Sequence, residues 1–321
     1  MTRAPDCSFV LSVEKGKLEA QAVLLVESLR QFGGAYADCP VYAVSPRPSR
    51  QISAACRERL SALGTQIIVE PLMPTQEAYG PVGRLAACAW AERNLASKIL
   101  VSLDDDLFFT SEPDFSLPGV EFFARPVDVK GMCTSGPDDP FDDYWREISR
   151  TTGVDYDQIP WVETTVDRLS VKASYNAGMI VVRRELGLFQ RAQEMFGILR
   201  EKNLAPHPAG SPEVFASTGP VGTEASLWWG SSQAVLSLAA TQLKAMISIA
   251  PAVYNVPAHQ AKLAEKLGGK NILKDAILVH YHWLLDPGYV QPDTLFHGGS
   301  ALPPSVLKWV ENRTPLGEIH R

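Results

Sequence analysis

Ile99-Leu100-Val101-Ser102-Leu103-Asp104-Asp105-Asp106-Leu107-Phe108-Phe109 is the stretch on which the reading of this chain turns. An apolar, β-branched run that breaks into three carboxylates and resumes as Leu-Phe-Phe has the pattern of a buried strand whose carboxyl end is loaded with negative charge. Open α/β sheets place their ligands at such ends. In an extended chain Asp104 and Asp106 share one face and Asp105 takes the other, because strand side chains alternate. Two carboxylates on one face make a hard-oxygen site suited to Mg²⁺ or Mn²⁺. Without a cation or hydrogen-bond donors, three adjacent charges beside an apolar sheet would be costly. The plainer alternative is a polar turn or a helix cap.

Outward from this stretch, the 321 residues are enough for one large α/β domain or two ordinary ones. With 45% hydrophobic and 21% charged residues, the composition is that of a globular protein. A net charge of -6 argues against a general nucleic-acid or anionic-membrane surface. No apolar run is long enough to span a bilayer, and Met1 to Cys7 lacks the apolar core of a signal peptide, so the expected compartment is the cytoplasm. Cys7, Cys39, Cys56, Cys88 and Cys133 are scattered, odd in number and without CxxC spacing, which fits buried reduced thiols.

Upstream of the acidic stretch, strand and helix patterns alternate. Ser8 to Val13 reads as a strand, Leu18 to Phe32 as a helix with Ala22, Leu25, Val26 and Leu29 inward, and Val41 to Val44 as a strand. Gln51 to Leu63 is predicted helical, Gln66 to Val69 extended, and Tyr79 to Ala96 helical. Short connections between such elements predict a mostly parallel sheet covered on both faces. The first strand carries no GxGxxG or GxxxxGK[ST] loop, which weighs against dinucleotide and P-loop enzymes. Downstream, Met132 to Trp145 is expected to be a long acidic surface loop, with Asp138, Asp139, Asp142 and Asp143 solvated. Ser174 to Arg183 reads as a strand entered through small residues, Leu186 to Glu201 as a helix, Asn203 to Thr223 as a loop able to act as a lid, and Ala276 to Trp283 as a late strand ending in imidazoles.

These residues resemble the metal-dependent glycosyltransferases of the GT-A fold, especially the glycogenin and galactosyltransferase group called family 8. Gly83-Arg84-Leu85 leading to Asp104-Asp105-Asp106 is similar to that family's arginine-bearing helix and DxD strand. Tyr175-Asn176-Ala177-Gly178-Met179-Ile180-Val181 is similar to its FNSGVMLI-type strand, and Val279-His280-Tyr281 to the strand whose histidine completes the metal site. The resemblance implies an α/β fold of GT-A type, with a Rossmann-like central sheet flanked by helices and a loop-rich acceptor-side subdomain. It implies one domain over 1–321, with a nucleotide-binding half at 1–110 and an acceptor-binding half at 111–321 that includes a C-terminal tail. It further implies Mn²⁺ or Mg²⁺ held by Asp104, Asp106 and His280, with Arg84, Asp104, Asp105 and Asn176 binding the donor. The implied reaction moves a hexosyl group from a nucleotide-sugar, UDP being the family-level expectation, to a carbohydrate or other hydroxyl, with retention of configuration. The chain departs from the family at its end: no HxxGxxKPW segment follows His280, and the lysine that would assist the leaving phosphate has no counterpart.

Each candidate also has a plainer role. His280 and His282 share one face of the expected strand, so both can approach one metal, or one can bind while the other braces it; either can equally be a structural histidine. Asn176 can donate to and accept from sugar hydroxyls, or simply open a tightly packed strand. Glu224, after the expected lid and before Trp228 and Trp229, is a candidate catalytic base or a solvated glutamate. Trp161, Trp228 and Trp229 offer faces for sugar stacking or for packing, and Arg84 can be a surface helix arginine.

Three rival functions remain at this stage. A haloacid-dehalogenase-like phosphatase also uses DxD, but Phe108 stands where Thr or Val is needed and the motif lies far from the first strand. A sugar nucleotidyltransferase would need a Gly-rich loop where Ser12-Val13-Glu14-Lys15-Gly16 stands. A non-catalytic nucleotide- or carbohydrate-binding protein would bind the donor without turning it over.

Overall fold

Leu100 and its neighbours Ile99, Val101 and Leu103 are buried on opposite faces of one strand, which explains why this segment is apolar at every position. The computed structural model describes residues 5–260, 273–286 and 302–314. The expected C-terminal tail at 287–301 and 315–321 lies outside the described residues. Strands and helices alternate first, as β1 (Cys7–Ser12), α1 (Lys17–Phe32), β2 (Val41–Ser45), α2 (Ala54–Ala62), β3 (Thr65–Val69), α3 (Val82–Asn94) and β4 (Ile99–Leu103). There follow β5 (Leu107–Phe109), β6 (Phe122–Pro126), α4 (Asp142–Thr152), β7 (Trp161–Glu163), β8 (Ser170–Lys172), β9 (Tyr175–Arg183) and α5 (Leu188–Glu201). The remainder holds β10 (Phe215–Ala216), β11 (Gly219–Pro220), α6 (Thr223–Leu227), α7 (Ser231–Gln242), β12 (Ile247–Ile249), β13 (Val256–Pro257), β14 (Leu278–His280) and α8 (Pro304–Glu311).

The main sheet has seven strands in the order β12-β6-β9-β4-β1-β2-β3. Each pairing is parallel except those of β9, which runs antiparallel to both β4 and β6. The mostly parallel α/β architecture expected from the alternating pattern is therefore present, with helices on both faces. On one face the buried residues of α3, α5 and α7, including Leu85, Trp90, Phe189, Met195 and Leu236, form a single apolar cluster with Leu100 and Ile180. The other face buries Ala22, Leu25, Val26 and Leu29 of α1 together with Phe9, Val101 and Phe109. The five cysteines are buried free thiols, and among the described residues no helix is long and apolar enough to cross a membrane.

Two expectations are corrected, the first because tertiary contacts absorb groups whose local sequence looks solvated. Met132 to Trp145 is a solvated loop only in part: Asp138 and Asp143 are exposed as expected, but other residues of the segment are enclosed. Met132, Cys133 and Thr134 are buried, and the segment runs into α4, whose Trp145 is fully enclosed and donates its indole N–H to the Met132 carbonyl at 2.8 Å. Asp142 is buried in α4, accepting from Thr134 Oγ1 at 2.9 Å and from Arg146 Nε at 2.7 Å, while Asp139 accepts from Phe141 N at 2.9 Å and pairs with Lys130. The late strand stops at His280, and Tyr281 to Asp286 turns away from the sheet.

Glu92, buried near the end of α3, accepts from the Phe189 and Gln190 amides at 2.9 and 2.8 Å and so caps the start of α5. Burial pushes its carboxyl up to about 7 from an ordinary value of 4.5. The folded state then holds this proton more tightly than the unfolded chain between those values, so the group's contribution is full below pH 4.5 and declines as pH rises toward 7. Melting temperatures measured from pH 4.5 to 8 are expected to fall more steeply with rising pH in the wild type than in Glu92→Gln. The difference should amount to about 3 kcal/mol across the window, and parallel curves would refute the assignment.

Candidate functional site

The acidic triplet occupies the step between two sheets. Leu103 ends β4 of the seven-stranded sheet, Asp104 to Asp106 turn, and Leu107 begins β5 of a three-stranded sheet ordered β13-β14-β5. Alternation along an extended strand therefore does not place these side chains; each carboxylate meets different surroundings. Asp104 is paired with the Arg84 guanidinium of α3. Asp105 is buried with Oδ1 lacking a partner among the described residues, and burial beside Asp106 pushes its carboxyl well above the usual range. Asp106 is also buried, which alone would raise it, but the His280 imidazole 3.1 Å away holds it well below its ordinary value.

Strand pairing explains why His280 is there. In the antiparallel pair of β14 with β5, His280 stands opposite Leu107, and the Tyr281 amide donates to the Asp106 carbonyl at 3.0 Å. His282 reaches the same place by another route. Its backbone is left-handed, at φ 55°, and its ring stacks on that of His280 with centroids 3.9 Å apart and planes 14° from parallel. The shared face inferred for a longer strand is thus produced by a turn. One ligand atom each from Asp106, His280 and His282 lies within 4.8 Å of the others. Asp104, paired with Arg84, is not among these three.

Asn176 is set by an irregularity in β9. The pairing with β6 jumps from Ala124 opposite Ile180 to Pro126 opposite Tyr175, leaving a bulge at Asn176-Ala177-Gly178. Bulges of this kind re-aim side chains. Asn176 Oδ1 accepts from Gly178 N, and its Nδ2 donates to Asp128 Oδ2, both at 2.9 Å. Gly178 is required by close approach: a Cβ there would lie 2.7 Å from Asn255 Oδ1 and 2.9 Å from the His280 ring, while its carbonyl accepts from Asp104 N at 2.8 Å.

These groups line a cleft of about 1010 Å³. Arg84, Asp104, Asp105, Asp106, Asn176, His280 and His282 all border it. Glu224 does not: its side chain is 61% exposed on α6, 3.5 Å from Arg200, which corrects its reading as a base in the site. Of the tryptophans, Trp229 lines the cleft, Trp228 is buried under the Arg200 guanidinium and Trp161 lies on the surface of β7. The β10–β11 hairpin, within the segment expected to be a lid, presents Phe215 at the cleft edge, and Lys15, Lys17, Arg47 and Arg50 border it elsewhere.

Two residues of the cleft were missed from the sequence. Asp128 follows β6 as the triplet follows β4, so an apolar strand ending in a carboxylate would have flagged it; burial raises its carboxyl, with Arg125 opposing. His259 carries no pattern of its own, yet its ring centroid lies 3.9 Å from that of His282. Burial and the His280 charge lower His282 to about 2 and His259 to about 4, so both rings are neutral near pH 7.

A family profile described as the Rhodobacterales glycosyltransferase domain matches residues 9–207. Among solved structures, the chain is similar to the apo form of WbbM, a bifunctional glycosyltransferase, at 12% identity and a TM-score of 0.52, covering 98% of this chain and 52% of that one. It is also similar to the galactosyltransferase LgtC in complex with donor and acceptor sugar analogues, at 13% identity and a TM-score of 0.51, covering 96% of each chain. The chain spans about half the length of WbbM. No curated protein matches it significantly in sequence.

Since Arg84 is the cation that answers Asp104, its removal leaves that carboxylate without its partner. Arg84→Met is expected to cost about 3 kcal/mol at pH 7.5. The deficit should shrink as pH falls through the carboxylate range, because protonation then neutralises the unpaired charge. Denaturant unfolding at pH 7.5 and pH 4.5 checks this, and an equal deficit at both values would contradict it.

Proposed function

The chain belongs to the Rhodobacterales glycosyltransferase family, and from that premise we propose that it moves a sugar from a nucleoside-diphosphate donor, with UDP the expected nucleotide, to an acceptor hydroxyl in the cleft above Asp106. Its fold is that of the GT-A glycosyltransferases. The observation that carries the reading is the Asp106, His280 and His282 trio on the wall of a cleft large enough for a nucleotide-sugar.

The trio fits a divalent cation. Asp106 is held as a carboxylate, the His282 ring is neutral, and His282 Nδ1 is buried without a partner among the described residues. A mixed oxygen and nitrogen donor set suits Mn²⁺ better than Mg²⁺, which prefers oxygen alone. When bound, the cation would offset the negative charge that grows on the departing diphosphate.

The protein's own groups do the rest. Lys15 and Arg50 attract an anionic donor into the cleft, while Lys17 is paired with Asp286. Glu14 and Arg47 fix one another, so this wall is rigid before the nucleotide arrives. Asp128 and Asn176, already joined at 2.9 Å, offer an acceptor and a donor pair for orienting the transferred sugar. Arg84 keeps Asp104 in place beside the phosphates. The hairpin bearing Phe215 narrows the cleft and keeps water from competing with the acceptor. A retaining outcome, as in family 8, is the expected stereochemistry.

Calorimetric titration of UDP with and without Mn²⁺ tests the reading. Binding is expected to need Mn²⁺ and to weaken at least tenfold in Asp106→Asn, after which a UDP-sugar panel identifies the donor by slow hydrolysis. Equal UDP affinity with and without Mn²⁺ would remove the metal-centred mechanism. Metal-dependent binding without turnover of any donor or acceptor would favour a binding protein.

A further inference from the structure

We propose that Asn255 is a positioning residue for the metal centre: its side-chain carbonyl, beside the same space as His280 Nδ1, takes up the Nδ1–H of His280 when a cation binds and so holds the Nε2 of that ring toward the cation. The inference rests on the metal reading given above and assigns a role to a residue with no place in it so far.

Three independent features of Asn255 lead here. The residue is fully buried, yet among the described residues neither Oδ1 nor Nδ2 has a hydrogen-bond partner. An orphaned buried amide is expensive and calls for a reason. The backbone is left-handed, at φ 49°, a conformation that costs most side chains free energy and that Asn tolerates better than most. That conformation is actively maintained: the buried Arg125 guanidinium of β6 donates through Nη1 to the carbonyls of Ala252, Tyr254 and Asn255 at 3.2, 2.9 and 3.3 Å. The clamp holds the turn immediately before β13, so the amide is presented from a rigid base.

The direction in which it is presented is the informative part. His280 Nδ1 is likewise buried and without a partner among the described residues. Asn255 Oδ1 and His280 Nδ1 converge on one point, 2.7 and 2.9 Å respectively from where a Cβ of Gly178 would sit. Glycine at 178 therefore leaves open a space that both unpartnered groups border, although they are not hydrogen-bonded to each other. The strands support the same geometry, because Pro257 of β13 stands beside His280 of β14 in a parallel pair. An imidazole that coordinates through one nitrogen generally donates its other N–H to an oxygen, which fixes the tautomer and the ring plane. His280 Nε2 already faces Asp106 at 3.1 Å, so Nδ1 is the nitrogen left to donate, and Asn255 Oδ1 is the oxygen placed to receive it.

The test compares Mn²⁺ binding to the full chain by calorimetry in the wild type, Asn255→Gly, Asn255→Asp and His280→Ala, alongside melting of the metal-free proteins. Glycine removes the amide while accepting the left-handed backbone, so the metal-free protein should melt within a few degrees of wild type. Its Mn²⁺ affinity should drop about tenfold or more, as for other groups that orient metal ligands. Asn255→Asp keeps an acceptor oxygen and should recover to within about threefold, a rescue that a purely structural role would not produce. Wild-type binding that is lost in His280→Ala but unchanged in Asn255→Gly would overturn this inference and leave the metal reading standing. Absence of Mn²⁺ binding to the wild type would overturn both.

Discussion

Three adjacent carboxylates must be accommodated where the chain leaves one sheet and enters another. Asp104, Asp105 and Asp106 lie between Leu103 and Leu107, each the terminal residue of a buried strand, so the charges cannot all be relieved by moving into water. The structure resolves the conflict by giving each a different fate. Asp104 is paired with Arg84, Asp105 is driven toward its neutral form, and Asp106 stays ionised beside His280. Separation of neighbouring titratable groups in this way is a common arrangement at functional sites.

Much of the surrounding architecture follows from that division. Arg84 needs α3 to run under the triplet, and the small residues Ala86, Ala87, Ala89 and Ala91 allow that helix to be buried along nearly its whole length. His280 needs β14 to pair with β5 directly after the triplet, which creates the second sheet. The bulge in β9 brings Asn176 to the same cleft, and Gly178 gives up a side chain so that Asp104, Asn255 and His280 can crowd around its backbone. Sheet, bulge and glycine form one solution to the placement of charge.

The regular elements were legible because their signals are local. Ala22, Leu25, Val26 and Leu29 recur at helical spacing, and all four are buried. The acidic triplet announced a site for the same reason, since charge at the end of an apolar run is visible within a dozen residues. Within Met132 to Trp145, Asp142 and Asp139 were misread because Thr134, Tyr156, Arg146 and Lys130 satisfy them, whereas Asp138 and Asp143 are exposed as expected. Glu224 was placed in the site by its neighbours in sequence, whereas α6 turns it outward to Arg200.

By itself, the sequence determined the class of fold, the strand that bears the acidic site and the residue types that converge there, because hydrophobic period and residue chemistry are written along the chain. Only the tertiary structure decided which carboxylate stands with which imidazole. Asp104 and Asp106 are two residues apart yet part company, while Asp106 and His280 are 174 apart and meet at 3.1 Å. Pairing between strands and the direction of a turn are set by long-range packing, and no spacing within the motif encodes them.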